Sequence, residues 1–155
     1  NQNEVVHATS STAGHGTNAK LNSIFDEWVE SNGTTITMAA PYNTYNISVS
    51  AVSSSNYILS GTDRNGSVSG NDPTVTVTAG DTINFNISAP GHPFLIKTSY
   101  VGGYGSQVTT GTITGTQGTT NSTLSWNTSG VSAGTYYYVC SPHAAFGMGG
   151  SIVVT

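Results

Sequence analysis

Cys140 closes an alternating run, Tyr136-Tyr137-Tyr138-Val139, and is followed by Ser141-Pro142-His143-Ala144-Ala145-Phe146-Gly147-Met148. One short loop after a strand thus offers a thiol, then an imidazole, then a thioether. Thiolate, imidazole and a weak axial thioether are the donors that select copper in a trigonal His2Cys site. Such a site needs a second imidazole, which this loop lacks. His92, in Ala89-Pro90-Gly91-His92-Pro93-Phe94, lies at a turn between two predicted strands, where folding can bring it across. The candidate metal ligands are therefore His92, Cys140, His143 and Met148. Each has a plainer reading by itself: an inert buried thiol, a core methionine, two ordinary turn histidines. Their joint spacing between flanking strands points to one site. His7 and His15 lie in an N-terminal stretch without periodicity and are assigned no role.

The elements that must position these side chains are strands. Expected strands run over 35–38, 46–52, 56–60, 74–78, 82–88, 94–98, 123–127, 135–140 and 151–155. Val75 and Val77 share a face, as do Ile83, Phe85 and Ile87, and Tyr136, Tyr138 and Cys140, which is the period of a half-buried strand. Asp63-Arg64-Asn65-Gly66, Asn71-Asp72-Pro73, Ala79-Gly80-Asp81 and Ala133-Gly134 supply turn chemistry between them. Many short alternating strands punctuated this way indicate an antiparallel β-sandwich or barrel. The Gly- and Thr-rich stretch 99–120 reads as an excursion off the sandwich with a weak hairpin inside it.

Ahead of the strands, Leu21, Ile24, Phe25, Trp28 and Val29 recur at helical spacing, with Asn18 as a candidate N-cap and Gly33 as a stop. A helix this short is not stable alone and must dock, on its own domain or on a partner subunit. The expected organisation is an N-terminal arm and amphipathic helix over 1–45 and a copper-binding β domain over 46–155. The first residue is Asn1 rather than Met, so an original start is expected to have been removed.

Composition limits the partners. Of 155 residues only 6% are charged, against about 25% in an average domain. The three basic residues, Lys20, Arg64 and Lys97, are scattered, which argues against nucleic acid. No apolar run reaches the ~18 residues of a transmembrane helix. A net charge of −4 from so few groups gives little electrostatic steering. The single cysteine rules out an internal disulfide, so its thiol requires burial or a ligand. A chain poor in charge and rich in Ser, Thr and Gly fits an exported protein, periplasmic, extracellular or displayed on a surface. N-x-S/T sequons at Asn32, Asn46, Asn65, Asn86, Asn121 and Asn127 are no more than this composition yields by chance.

The Cys-x2-His-x4-Met loop from Cys140 to Met148, followed by an apolar strand, resembles the C-terminal copper loop of plastocyanin-type cupredoxins. The segment Thr74–Phe85, with Ala79-Gly80-Asp81-Thr82 in its turn, is similar to the strand pair before the first copper histidine in that family. The resemblance covers roughly 56–155. It implies an all-β, cupredoxin-like antiparallel Greek-key sandwich, here carrying an additional short N-terminal helix, and one type 1 (blue) copper ion on His92, Cys140, His143 and Met148. It implies a one-electron carrier that is not an enzyme, meeting a redox partner near His143 and Phe146. Two departures stand out. Pro93 follows the first histidine where the family commonly has a residue whose N–H bonds the thiolate, and the acidic docking patches of photosynthetic plastocyanins are missing. The competing reading is a structural or display module of an extracellular or virion surface assembly, with copper structural or absent.

Overall fold

The computed structural model describes residues 41–155 and two short strands before them, β1 (Glu27–Val29) and β2 (Thr35–Thr37). The helix expected over 18–33 lies outside the described residues except at Glu27–Val29. Those three residues instead form a strand that pairs antiparallel with β2, Trp28 opposite Ile36. Trp and Val favour extended backbone, and local helical spacing did not outweigh that preference here. These two strands belong to one compact unit, Asn1–Pro41, and Tyr42–Thr155 form another.

The second unit is a sandwich of two sheets. The strands are β3 (Thr44–Ser50), β4 (Ile58–Asp63), β5 (Gly66–Asn71), β6 (Val75–Val77), β7 (Thr82–Ser88), β8 (Phe94–Lys97), β9 (Thr112–Thr114), β10 (Thr123–Asn127), β11 (Gly134–Cys140) and β12 (Gly149–Val154). One sheet has the order β5-β4-β3-β7-β10-β9, the other β6-β12-β11-β8. Most neighbours are antiparallel, as expected. Two pairs are not: β3 runs parallel to β7, and β6 parallel to β12. Both sheets are therefore mixed, because the chain crosses between them before returning beside an earlier strand.

Alternation along the strands builds the core. Ile47 and Val49, then Ile83, Phe85 and Ile87, then Leu124 and Trp126 face inward from the larger sheet. Val75, Val77, Phe94, Ile96, Tyr138, Ile152 and Val154 meet them from the smaller one. Burying each large apolar side chain contributes about 1.5–3 kcal/mol. Phe94, Phe85, Tyr57 and Tyr138 form an aromatic group between the sheets, with Phe94 stacked on Tyr138 at 5.6 Å.

β5 was not foreseen. The turn at Asp63–Gly66 was legible and does close a hairpin, with Asp63 opposite Gly66. The strand after it, Gly-Ser-Val-Ser-Gly-Asn, has Val68 as its one apolar residue and so carries no alternation to read. The stretch 99–120 returns to the sandwich rather than leaving it as the expected excursion with a hairpin of its own. β9 pairs with β10, and single bridges tie Gln107 to Lys97 and Thr119 to Phe94 along the free edge of β8.

A buried carboxylate fixes one end of β7. Asp81, just before it, is fully buried and accepts from the Asn43 N–H and Arg64 Nη2 at Oδ1, and from the Thr78 N–H and Arg64 Nε at Oδ2. The carboxylate ties three loops together at that end. His92 follows β7 at its other end, so this network is remote from the candidate ligands and bears on stability.

Candidate metal centre

Three of the four candidate ligands converge. β11 ends at Cys140, whose partner across the ladder is Phe94, the first residue of β8. His92 sits two residues before Phe94, in a turn closed by its own N–H donating to the Ala89 carbonyl. Strand pairing therefore puts residue 92 beside residue 140, although 48 positions separate them in sequence. The two loops are also joined directly, the Ser141 N–H donating to the Pro93 carbonyl at 3.1 Å.

The loop after Cys140 folds back on itself. The His143 N–H donates to the Cys140 carbonyl, and the His143 carbonyl accepts from the N–H groups of Phe146 and Met148. A single 3-10 turn over Ala144–Phe146 is ended by Gly147 in the left-handed region at φ 90°. That conformation is open to glycine at little cost. The Cys140 N–H then donates to the Met148 carbonyl at 3.1 Å, which closes the loop where β12 begins. Cys140 and Met148 are fully buried, whereas His92 and His143 are half-buried.

The donor atoms make a compact triangle. His92 Nδ1 lies 3.2 Å from His143 Nδ1, and Cys140 Sγ lies 3.8 Å from the first and 3.4 Å from the second. The triangle is acute, and its centre is about 2.0 Å from each donor, close to the ~2.0–2.3 Å bonds that nitrogen and sulfur make to a first-row metal ion. Two imidazoles and a thiolate at those distances suit copper better than a hard cation. The donor set therefore fits the metal. Met148 is fully buried and its backbone is bonded to both Cys140 and His143, which keeps it in the same loop.

Electrostatics favour a neutral His92 imidazole. Burial holds the His92 pKa below the usual histidine value, and the neighbouring His143 lowers it further. Burial pushes the Cys140 thiol up, opposed by the Tyr57 hydroxyl and by the His143 backbone. Metal uptake must displace that thiol proton, so affinity falls as pH falls.

Sequence reasoning missed three residues around the site. Tyr57 is fully buried, and its hydroxyl donates to the His92 carbonyl at 3.0 Å. Asp72, read only as part of a turn, accepts at Oδ1 from the N–H groups of Tyr57 and Gly149. Lys97 is fully buried on β8 and donates from Nζ to the carbonyls of Val101, Gly102 and Gly103. A lysine continuing the apolar run Phe94-Leu95-Ile96 was the one available signal. Through it the 101–103 segment is held against the copper loop, where the Gly103 N–H donates to the Ser141 carbonyl at 2.9 Å.

That arrangement also shapes the surface. Phe146 is 69% exposed, and its ring lies 6.1 Å from that of His143. Val101 and Tyr104 are exposed as well, on the segment packed beside the loop. The exposed Phe146, Pro142 and Ala145 of the same loop thus form an uncharged apolar rim beside His143.

Comparison with known proteins adds a family. The model of copper binding proteins of the plastocyanin/azurin family matches residues 57–155. No curated protein sequence matches significantly. Among solved structures, a rusticyanin from Thiobacillus ferrooxidans is 21% identical with a TM-score of 0.44, covering 90% of this chain and 95% of its own. A His143Met rusticyanin is 24% identical with a TM-score of 0.46, covering 76% and 86%. A pseudoazurin from Sinorhizobium is 23% identical with a TM-score of 0.43, covering 73% and 74%.

Proposed function

The chain belongs to the plastocyanin/azurin family of copper-binding proteins, and from that premise we propose that it is a one-electron carrier with a single type 1 copper held by His92, Cys140, His143 and Met148. The observation that carries this reading is the donor triangle of His92, Cys140 and His143, whose centre is about 2.0 Å from each donor atom. Copper supplies, when bound, a one-electron couple. The chain supplies a fixed geometry: two ligands are anchored at strand ends, and the loop carrying the others is closed by its own hydrogen bonds. Ligands that do not rearrange between oxidation states make electron exchange fast, while the surroundings of the sulfur tune the potential.

His143 is the exit in this reading. It is half-buried and flanked by the exposed Phe146 ring, so a partner that covers the apolar rim comes within one imidazole of the metal. With no charged residue in that rim, encounters are brief and insensitive to salt. Among the described residues no helix is long and apolar enough to cross a membrane. The charge-poor composition supports an exported protein, in the periplasm or outside the cell.

A second reading, a structural or display module, draws on the outward face of the larger sheet. Thr44, Asn46, Ser48 and Ser50 on β3, and Asn86 and Ser88 on β7, present hydroxyls and amides without charge. Voltammetry of the copper-loaded protein separates the two. A reversible one-electron wave at modest scan rates supports the carrier, and a site that exchanges no electrons with an electrode or with small reagents supports the module.

A further inference from the structure

Two of the ligand-bearing segments, the His92 turn and the Met148–Gly149 segment, share a support that the copper-binding reading does not require. Tyr57 precedes β4 and Asp72 follows β5, at the open end of one hairpin. They are bonded to each other twice: the Asp72 N–H donates to the Tyr57 carbonyl, and the Tyr57 N–H donates to Asp72 Oδ1, both at 2.9 Å. From this joint two arms reach the site. The Tyr57 hydroxyl donates to the His92 carbonyl at 3.0 Å, and Asp72 Oδ1 accepts from the Gly149 N–H, the residue after Met148, at 3.1 Å.

We propose that Tyr57 and Asp72 are positioning residues of the metal site, a hydrogen-bonded brace that fixes the His92 turn and the Met148–Gly149 segment to one hairpin end. The inference rests on the ligand assignment above. Three further features fit it. Tyr57 is buried to 0% exposure among Phe94 and Tyr138, so its ring has no freedom to swing the hydroxyl away. Asp72 holds φ at 45°, a left-handed conformation uncommon outside glycine and tolerated best by Asp and Asn. Backbone strain of that kind persists where the surroundings over-determine it, and it concentrates at functional sites. Finally, both N–H donors converge on a single oxygen, Oδ1, so an amide oxygen can replace the carboxylate at that point.

The last feature supplies the test. Tyr57→Phe, Asp72→Ala and Asp72→Asn are compared with the parent protein by the intensity ratio of the two sulfur-to-copper absorption bands, by midpoint potential and by unfolding. The rate at which the Cys140 thiol reacts with a disulfide reagent is measured on metal-free protein. The brace predicts that Tyr57→Phe and Asp72→Ala change the band ratio and the potential, and that Asp72→Ala, which frees the Met148–Gly149 segment bonded to the Cys140 N–H, raises thiol reactivity about tenfold, the equivalent of ~1.4 kcal/mol. Asp72→Asn keeps the parent spectrum and reactivity. Unchanged band ratio and potential in both Tyr57→Phe and Asp72→Ala, with only a loss of stability, overturns it. So does an Asp72→Asn protein that shifts as far as Asp72→Ala. If Asp72→Ala does not fold, Tyr57→Phe against Asp72→Asn decides by the same criteria. A parent protein that takes up no copper refutes the ligand assignment instead, and the thiol rates then decide the brace alone.

Discussion

Asp72 makes the fold pH-dependent in a direction opposite to that of an ion-paired carboxylate. Burial raises its pKa from the model-peptide 3.8 to about 6, outweighing the Tyr57 and Gly149 N–H groups that favour the charged form. A raised folded-state value means that the native protein holds this proton more tightly than the unfolded chain does. The stability it contributes is therefore complete below about pH 4 and is lost as pH rises through about 6. The shift of roughly two units sets an upper bound of about 3 kcal/mol. Asp72 is only half-buried, and solvent screening reduces this to about 1–2 kcal/mol. Asp72→Asn keeps an oxygen for both N–H donors and removes the ionisation. Urea unfolding of metal-free protein at pH 4 and pH 8 isolates the effect as the difference between parent and variant. The two proteins should be equally stable at pH 4, with the variant about 1–2 kcal/mol more stable at pH 8. A variant less stable at pH 8 than at pH 4, relative to the parent, would show that the charged carboxylate is the favoured native form and would refute the reasoning.

Three further outcomes are expected. Asp81→Ala leaves the Arg64 guanidinium and the Asn43 and Thr78 N–H groups without their shared acceptor, and urea unfolding should show a loss of about 3–5 kcal/mol with the copper spectrum unchanged. Pro93→Ala adds an N–H next to His92 where the family commonly bonds the thiolate; the extra hydrogen bond weakens donation to Cu(II), so voltammetry should find a higher midpoint potential. Phe146→Ser removes the most exposed ring of the apolar rim; stopped-flow oxidation by a redox protein should slow about tenfold, ~1.4 kcal/mol of docking, at unchanged potential.

The site was more legible than its support. Cys140, His143 and Met148 lie within nine consecutive residues, and their types alone suggest a soft metal, so the loop could be read directly. His92 had to be chosen from a turn between strands, and it lies beside Cys140 because Cys140 and Phe94 are ladder partners, which fixes residues 92 and 140 at one end of the smaller sheet. Tyr57 and Asp72 left no such trace. They act through hydrogen bonds to backbone groups, across the open end of a hairpin whose second strand has almost no apolar pattern. Lys97 was read only as one of three scattered basic residues, because its acceptors are backbone carbonyls, which no residue type announces. The strands of the core, from 82–88 to 123–127, were visible because burial on one face enforces alternation. The parallel pairings of β3 with β7 and β6 with β12 depend on how the chain crosses between sheets, which periodicity does not encode. At Glu27–Val29 helical spacing misled, since Trp28 and Val29 serve a strand as well as a helix stripe.

Titration of the metal-free protein with Cu(II), followed by visible absorption beside a Cys140→Ser variant, tests the central claim most directly. Three donors around a point about 2.0 Å from each predict one equivalent of copper and an intense sulfur-to-copper band near ~600 nm that the serine variant lacks. A folded protein that remains colourless at one equivalent, or a serine variant that develops the same band, would contradict it.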